Sequence, residues 1–92
     1  MAYARVLNLE YRSEKDQKLY HEKWRQNNFE GFPDAISRTI IKTGPASKLM
    51  MVVYKTEEFA EKARSLANKF LEKHAQYLHE VLDFHGEVTH RE

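Results

Sequence analysis

Apolar and polar residues alternate at the start of the chain, and this period of two predicts a β-strand over Ala2–Arg12. Side chains of a strand point alternately to its two faces, so every second residue shares a face. One face combines aromatic and aliphatic side chains with one charged residue, Arg5. The apolar members of this face are Tyr3, Leu7, Leu9 and Tyr11.

Two later segments have the three- and four-residue spacing of amphipathic helices. The first is expected over Ser13–Asn28, with the Ser13 hydroxyl as N-cap. The second is expected after the N-cap Thr56, with an apolar stripe that extends to Tyr77. The stripe residues are Leu19, Tyr20 and Trp24 in the first helix, and Phe59, Ala63, Leu66, Ala67, Phe70, His74 and Tyr77 in the second.

Between the two helices, a Gly-Pro turn separates two segments rich in β-branched and aliphatic residues. We predict strands over Ala35–Thr43 and Lys48–Lys55. The tail has two interpretations, a strand near residues 80–90 or a continuation of the second helix to Gly86. We predict the strand, because the continuous helix would far exceed the usual length of about 11–12 residues and would leave the sheet without a fourth strand.

The resulting order, βαββαβ, predicts an α+β, ferredoxin-like domain. Two helices would cover one face of a four-stranded antiparallel sheet, in a single domain of residues 1–92. The strand over Lys48–Lys55 is apolar on both faces, so the face without helices also needs a cover. A homodimer with its sheets packed face to face supplies that cover, and Val6 and Val81 are expected on this second face.

Composition narrows the range of functions. Fifteen Lys+Arg stand against fourteen Asp+Glu, so no basic field points to nucleic acid. There is no cysteine for a disulfide, a thiol nucleophile or a Cys-based zinc site. The chain contains no long apolar run for a membrane span and no signal-peptide pattern at its start, so we expect a soluble cytoplasmic protein. No Gly-rich phosphate loop is present.

Two short motifs resemble those of a known group. Glu30-Gly31-Phe32 is similar to a Pro-Gly-Phe-like motif before the second strand, and residues 54–59 are similar to the aromatic and acidic start of the second helix, in the dimeric α+β barrel superfamily. That superfamily includes the antibiotic-biosynthesis monooxygenase family. Its members range from cofactor-independent oxygenases to isomerases. The resemblance therefore implies a homodimer with a small-molecule pocket and no organic cofactor, but it does not imply any particular reaction.

The best candidates for chemistry lie in the tail. On a strand, Asp83, His85 and Glu87 share a face. Asp83 beside His85 can orient the imidazole for proton transfer near neutral pH, so these two are the predicted catalytic residues. The same trio could ligate a divalent metal, although we predict no metal site. The plainest alternative is a solvated face of an edge strand.

Candidate substrate-binding residues lie on the other strands. Asn8 could hold a substrate oxygen, or it could hydrogen-bond across the dimer. Arg38 could bind an anionic group of the substrate, or it could cover the sheet edge with its stem. Met50, Val52 and Tyr54 would form the apolar wall of a cavity between the two sheets.

Two functions from different classes follow. The first is a cofactor-independent enzyme, similar to a monooxygenase or an isomerase, that acts on a small apolar or aromatic metabolite. The second is a non-catalytic ligand-binding or protein-interaction module of the same fold. We expect no nucleic-acid or membrane partner in either case.

Overall fold

The computed structural model describes residues 1–26 and 33–92. The order of elements is βαββαβ, and the strands form an antiparallel sheet in the order β2-β3-β1-β4. The predicted ferredoxin-like fold is confirmed, including the strand at the C-terminus. The elements are β1 Tyr3–Tyr11, α1 Glu14–Gln26, β2 Ser37–Gly44, β3 Ser47–Tyr54, α2 Glu57–Lys73, a 3₁₀ turn Ala75–Tyr77, and β4 Leu78–Glu87.

Both helices begin where the sequence predicts. The Asp16 amide donates to the Ser13 hydroxyl over 3.0 Å, and the Phe59 amide donates to the Thr56 hydroxyl over 3.2 Å. These caps satisfy amide groups that have no partner inside the helix. The second helix is shorter than predicted, because it ends at Lys73 and a 3₁₀ turn leads into β4. The predicted end of the first helix and the Glu30-Gly31-Phe32 motif lie outside the described residues.

The register of β1 determines which residues share a face. Arg5 on β1 lies opposite Val52 on β3 and opposite His85 on β4, and Val52 in turn lies opposite Arg38 on β2. Directly paired residues of antiparallel strands point to the same side. One row of side chains therefore crosses the sheet in the order Arg38, Val52, Arg5, His85. The adjacent row is Ile40, Met50, Leu7, Asp83.

The helices pack on the face that carries these two rows. One core cluster joins β1 and β3 to the start of α2, and a second joins β1, β4 and both helices. Tyr20 meets the ring of Phe70 edge-on at 5.4 Å between centroids, a favourable aromatic geometry. The clusters are Tyr3, Val52, Tyr54, Ala60 and Ala63, and Leu9, Tyr11, Tyr20, Phe70 and Leu78.

The opposite face, which we call the open face, carries no helix. It exposes Ile41, Met51, Leu82 and Phe84, the last of which is 60% exposed. Val81 was predicted on this face, and that prediction is wrong, because the register sets Val81 opposite Leu9 and packs it against the second core cluster. Among the described residues, no helix is long and apolar enough to cross a membrane.

Candidate functional site

A cleft lies between the helix-covered face of the sheet and the two helices. It contains a cavity of about 40 Å³ and an adjacent one of about 10 Å³, which share the lining residues Leu7, Trp24, Met50 and Ala67. A cavity needs roughly 10–15 Å³ to hold one water molecule, so the cleft is narrow as it stands. The larger cavity is also lined by Leu9, Tyr11, Tyr20, His21, Ile40, Lys48 and Leu71, and the smaller by Arg5, Arg38, Val52 and Tyr54.

The larger cavity is mostly apolar and aromatic, with one polar pair in its wall. Lys48 Nζ lies 3.1 Å from His21 Nδ1. Burial, followed by the charges of Lys48 and Arg25, lowers the pKa of His21, and burial also lowers the pKa of Lys48. A protonated lysine is only a donor, so Nδ1 of a neutral His21 accepts and its ring proton is on Nε2. The pair thus places an ammonium group beside an apolar, aromatic chamber.

The tyrosines of this cavity do not act as bases at neutral pH. Burial raises the pKa of Tyr11 to about 12, and burial together with Tyr11 raises the pKa of Tyr20 further. Their rings pack together at 5.3 Å between centroids. Both hydroxyl groups therefore stay protonated and serve as hydrogen-bonding groups on an otherwise apolar wall.

An arginine–aspartate network lies beside the smaller cavity. Arg5 Nη2 donates to Asp83 Oδ2 over 3.3 Å, and Arg64 Nε lies 3.5 Å from the same oxygen. The Arg5 side chain is 5% exposed and the Asp83 side chain 23%. Arg5 Nε and Asp83 Oδ1 are buried without a hydrogen-bond partner. One carboxylate therefore forms ion pairs with two guanidinium groups, and the Nε donor of Arg5 makes no hydrogen bond within the described residues.

Next to this network, a hydrogen bond of 2.9 Å joins the Tyr3 hydroxyl to His85 Nδ1. Burial and the nearby carboxylates, Glu57 first among them, raise the pKa of Tyr3, so the phenol stays neutral. Asp83 and His85 share one face of β4 as predicted, but it is the helix-covered face and not the face expected between two sheets. Their hydrogen bonds also go to different partners. Asp83 contacts arginines and His85 contacts Tyr3, so the catalytic pair stays a prediction. Within the described part of the chain, no three metal-ligating side chains converge.

The predicted substrate-binding residues divide between the two faces of the sheet. Arg38, Met50, Val52 and Tyr54 line the smaller cavity, on the helix-covered side. Asn8 lies on the open face, paired with Leu49 and Leu82. The expected wall between two sheets is therefore wrong for Met50, Val52 and Tyr54. These three side chains point to the same face of the sheet as Arg5 and Leu7. The cleft that they line therefore lies within one protomer.

Two residues of the cleft, His21 and Arg5, were not singled out from the sequence. His21 has no role in the sequence-based predictions, yet in the structure it is half-buried and contacts Lys48. Arg5 was noted only as a charge on an apolar face. A signal was present for both: His21 lies three residues before Trp24 on the apolar stripe of the helix, and a lone arginine among inward-facing residues is costly to bury without a function or a partner.

No family model matches this chain, and no curated protein matches it. Solved structures do match over almost its whole length. A dimeric ferredoxin-like protein from an uncultured marine organism has a TM-score of 0.81 at 17% identity, covering 98% of this chain and 90% of that one. The chain shares the ferredoxin-like fold of that protein. The predicted resemblance to antibiotic biosynthesis monooxygenase-like proteins is confirmed as a resemblance of fold, because putative antibiotic biosynthesis monooxygenases are among the structural matches.

Two further matches are oxygenases. SnoaB, a cofactor-independent oxygenase from Streptomyces nogalater, has a TM-score of 0.72 at 7% identity, covering 98% of this chain and 95% of that one. A monooxygenase, ActVA-Orf6 from Streptomyces coelicolor, in complex with nanaomycin D, has a TM-score of 0.73 at 10% identity, covering 98% of this chain and 89% of that one. At these identities the likeness concerns the fold.

Proposed function

We propose that this chain is a cofactor-independent enzyme that acts on a small apolar or aromatic molecule in the cleft between its sheet and its helices. The observation that carries the proposal is an aromatic, apolar chamber with one polar pair, Lys48 and His21, in its wall. Ligand sites are typically apolar with few polar groups that fix orientation. The cofactor-independent oxygenase among the structural matches supports the same class of reaction.

Lys48 would stabilise negative charge on the substrate. A phenol or an enol that loses its proton places that charge on oxygen, and a fixed ammonium group in a partly dry site favours the anion. The resulting phenolate or enolate is rich enough in electrons to react with dioxygen, and an enolate is also an intermediate in isomerisation. His21 would orient the ammonium group through the 3.1 Å contact. Lys48 would thus serve either reaction.

The proton acceptor in this proposal is the sequence-predicted pair. His85 would accept the substrate proton from the edge strand β4 on the same face, next to the cleft lining and not within it. Asp83, which pairs with Arg5, would support it through the charge of its carboxylate and not through a hydrogen bond. Replacement of both residues, Asp83→Asn with His85→Gln, is expected to lower turnover by at least about 100-fold while leaving binding in place. Turnover that is unchanged in this double variant would remove the pair from the mechanism.

The proposal includes a homodimer that pairs through the open face. Ile41, Met51 and Phe84 are 49%, 43% and 60% exposed on this face, and exposed apolar patches mark association surfaces. We expect Phe84→Glu to convert the dimer to a monomer in sedimentation velocity at micromolar concentration. Leu19→Glu, at an apolar residue 40% exposed on α1, is the matched control and should stay dimeric. A wild-type monomer under these conditions would contradict the pairing.

The cleft itself is tested by filling it. Ala67 on α2 is 5% exposed and lines both cavities, so Ala67→Leu should occupy the space that a ligand needs. The assay titrates 1-naphthol into ¹⁵N-labelled protein, followed by oxygen uptake with the same compound. Asn68→Leu, at the adjacent exposed residue, is the control. Binding that survives Ala67→Leu as well as it survives the control would place the ligand elsewhere.

A non-catalytic binding module is the second candidate, and it is favoured by the separate hydrogen-bond partners of Asp83 and His85, the proposed catalytic pair. A cavity of about 40 Å³ holds one or a few water molecules, so a substrate must displace side chains to enter. Binding of 1-naphthol at the cleft without oxygen uptake or isomerisation, across a panel of phenols and enolisable ketones, would support this alternative over the enzyme.

A further inference from the structure

We infer that the end of the cleft formed by Arg5 and Arg38 binds the carboxylate group of an apolar or aromatic acid. The inference rests on the proposed function, because it assigns the substrate class of the same cleft. It concerns the smaller cavity, whose polar lining differs from the Lys48–His21 end.

The sheet directs both guanidinium groups to one place. Arg5 lies opposite Val52, and Arg38 lies opposite Val52 on its other side, so both side chains rise from one face on either side of a small residue. Two strand spacings separate their backbones by about 10 Å, which two arginine side chains can bridge over Val52. Both residues line the smaller cavity together with Tyr54 and Trp24.

The charges around Arg5 leave room for one more anion. Arg5 is 4% exposed, yet its Nε has no partner and its one ion pair is a 3.3 Å contact with Asp83. Asp83 also serves Arg64, which in turn reaches Glu61 at 3.7 Å. Because Asp83 is shared by two guanidinium groups and Arg5 Nε has no partner among the described residues, an incoming carboxylate would meet an unused donor.

Arg38 adds a second charge to the same place. It is exposed, and it has no ion pair within the described residues. The carboxylates that raise the pKa of Tyr3, namely Glu57, Glu61 and Glu87, are not among the residues that line the cavity. The cavity wall itself therefore carries two positive charges and no negative one.

The shape of the site selects a carboxylate attached to an apolar body. A guanidinium group presents parallel N–H donors that match the two oxygens of a carboxylate. Leu7, Met50 and Trp24 continue the wall from this end into the larger cavity, so an aromatic ring attached to the carboxylate would lie against apolar side chains once it displaces them. Because Arg38 is exposed, the carboxylate can contact it from solvent before the ring enters.

The test compares benzoate with benzamide, which has nearly the same shape and no charge. Each is titrated into ¹⁵N-labelled full-length protein, and affinity is read from the amide shifts of cleft residues. We expect benzoate to bind at least about tenfold more tightly than benzamide, since hydrogen bonds to charged groups are the stronger ones. The preference should fall as salt is raised, because Arg38 is exposed.

Variants identify the residues responsible. Arg38→Gln is expected to lower benzoate affinity much more than benzamide affinity and so to remove most of the preference. Arg91→Gln, at an exposed arginine outside the cleft lining, should change neither affinity. Arg5→Lys keeps the positive charge but loses the parallel N–H donors of the guanidinium group. It should reduce the preference for benzoate over benzamide severalfold, provided that the amide spectrum shows a folded protein. If Arg5→Lys does not fold, Arg38→Gln alone decides.

The outcomes separate the two proposals. Equal binding of both probes at the cleft, or a benzoate preference that survives Arg38→Gln, would overturn the carboxylate site and leave the proposed cleft intact. Absence of cleft shifts with either probe, together with absence of 1-naphthol binding, would overturn the cleft and with it the carboxylate site. A benzoate preference that is lost in Arg38→Gln and kept in Arg91→Gln supports the inference.

Discussion

Removal of Asp83 tests whether its carboxylate holds the fold together through Arg5. In Asp83→Leu, the Arg5 guanidinium group loses its ion-pair partner while its side chain stays 95% buried. Breaking a buried ion pair typically costs about 3–5 kcal/mol. The contact here is 3.3 Å, longer than a good charge-assisted bond, and the Asp83 side chain keeps 23% exposure. Both facts reduce the expected loss of unfolding free energy to about 2–3 kcal/mol.

The assay is urea unfolding at one fixed protein concentration, because dimerisation would couple stability to concentration. With a slope of about 1 kcal/mol per molar urea for a small domain, the midpoint should fall by about 2–3 M. Arg64→Gln is the control. It removes a partner of Asp83 that is 38% exposed, so its loss should be about 0–1 kcal/mol.

A double-mutant cycle makes the test specific. Arg5→Met with Asp83→Leu removes both charges and leaves two apolar side chains, so the double variant should be more stable than Asp83→Leu alone. If the two single losses add within about 0.5 kcal/mol, the pair is not coupled. If Asp83→Leu costs less than about 0.5 kcal/mol, the buried Arg5 is neutralised by something other than Asp83, and the reasoning fails.

Three further predictions concern stability alone. Thr56→Ala should lower the unfolding free energy by about 1 kcal/mol, and Thr56→Ser should restore most of it, because the hydroxyl caps α2. Ala63→Leu should cost about 1–3 kcal/mol, unlike Lys62→Leu, because Ala63 is 0% exposed. Burial lowers the pKa of His74 below 6.5, because the charged imidazole is disfavoured in the folded protein. The contribution of neutral His74 to the free energy of unfolding is therefore complete above that pH and is lost as the pH falls. The difference in unfolding free energy between the wild type and His74→Gln should therefore shrink below pH 6.5, and a constant difference would contradict it.

The order of the elements was predictable because each one has a local cause. Period two predicts β1, the hydroxyls of Ser13 and Thr56 begin the helices, and the apolar stripe of α2 repeats at helical spacing. The strand at the C-terminus followed from the need for a fourth strand. Helix length was less predictable, because His74 and Tyr77 keep the apolar spacing after the helix has ended. His74 instead packs on Phe70 at 4.4 Å between ring centroids from the C-cap.

The candidate site was predicted only in part. Sharing of a face by Asp83 and His85 follows from strand geometry alone, and the structure sets both on the helix-covered face. Their partners, Arg5 and Tyr3, lie more than seventy residues earlier in the chain, and no local pattern pairs them. The same holds for Lys48 and His21, which approach only when α1 packs on the sheet.

The sequence by itself determined the elements, their order and the fact that the strand over Lys48–Lys55 is apolar on both faces. Only the tertiary structure decided which face each half of that strand joins. Strand parity is relative, so the sequence separates Met50, Val52 and Tyr54 from Met51 and Val53 without saying which set meets the helices. Pairing with β1, whose Leu7 and Leu9 belong to the core, resolves it. That choice moves the candidate site from the space between two sheets into the protomer, and leaves Met51 exposed on the open face.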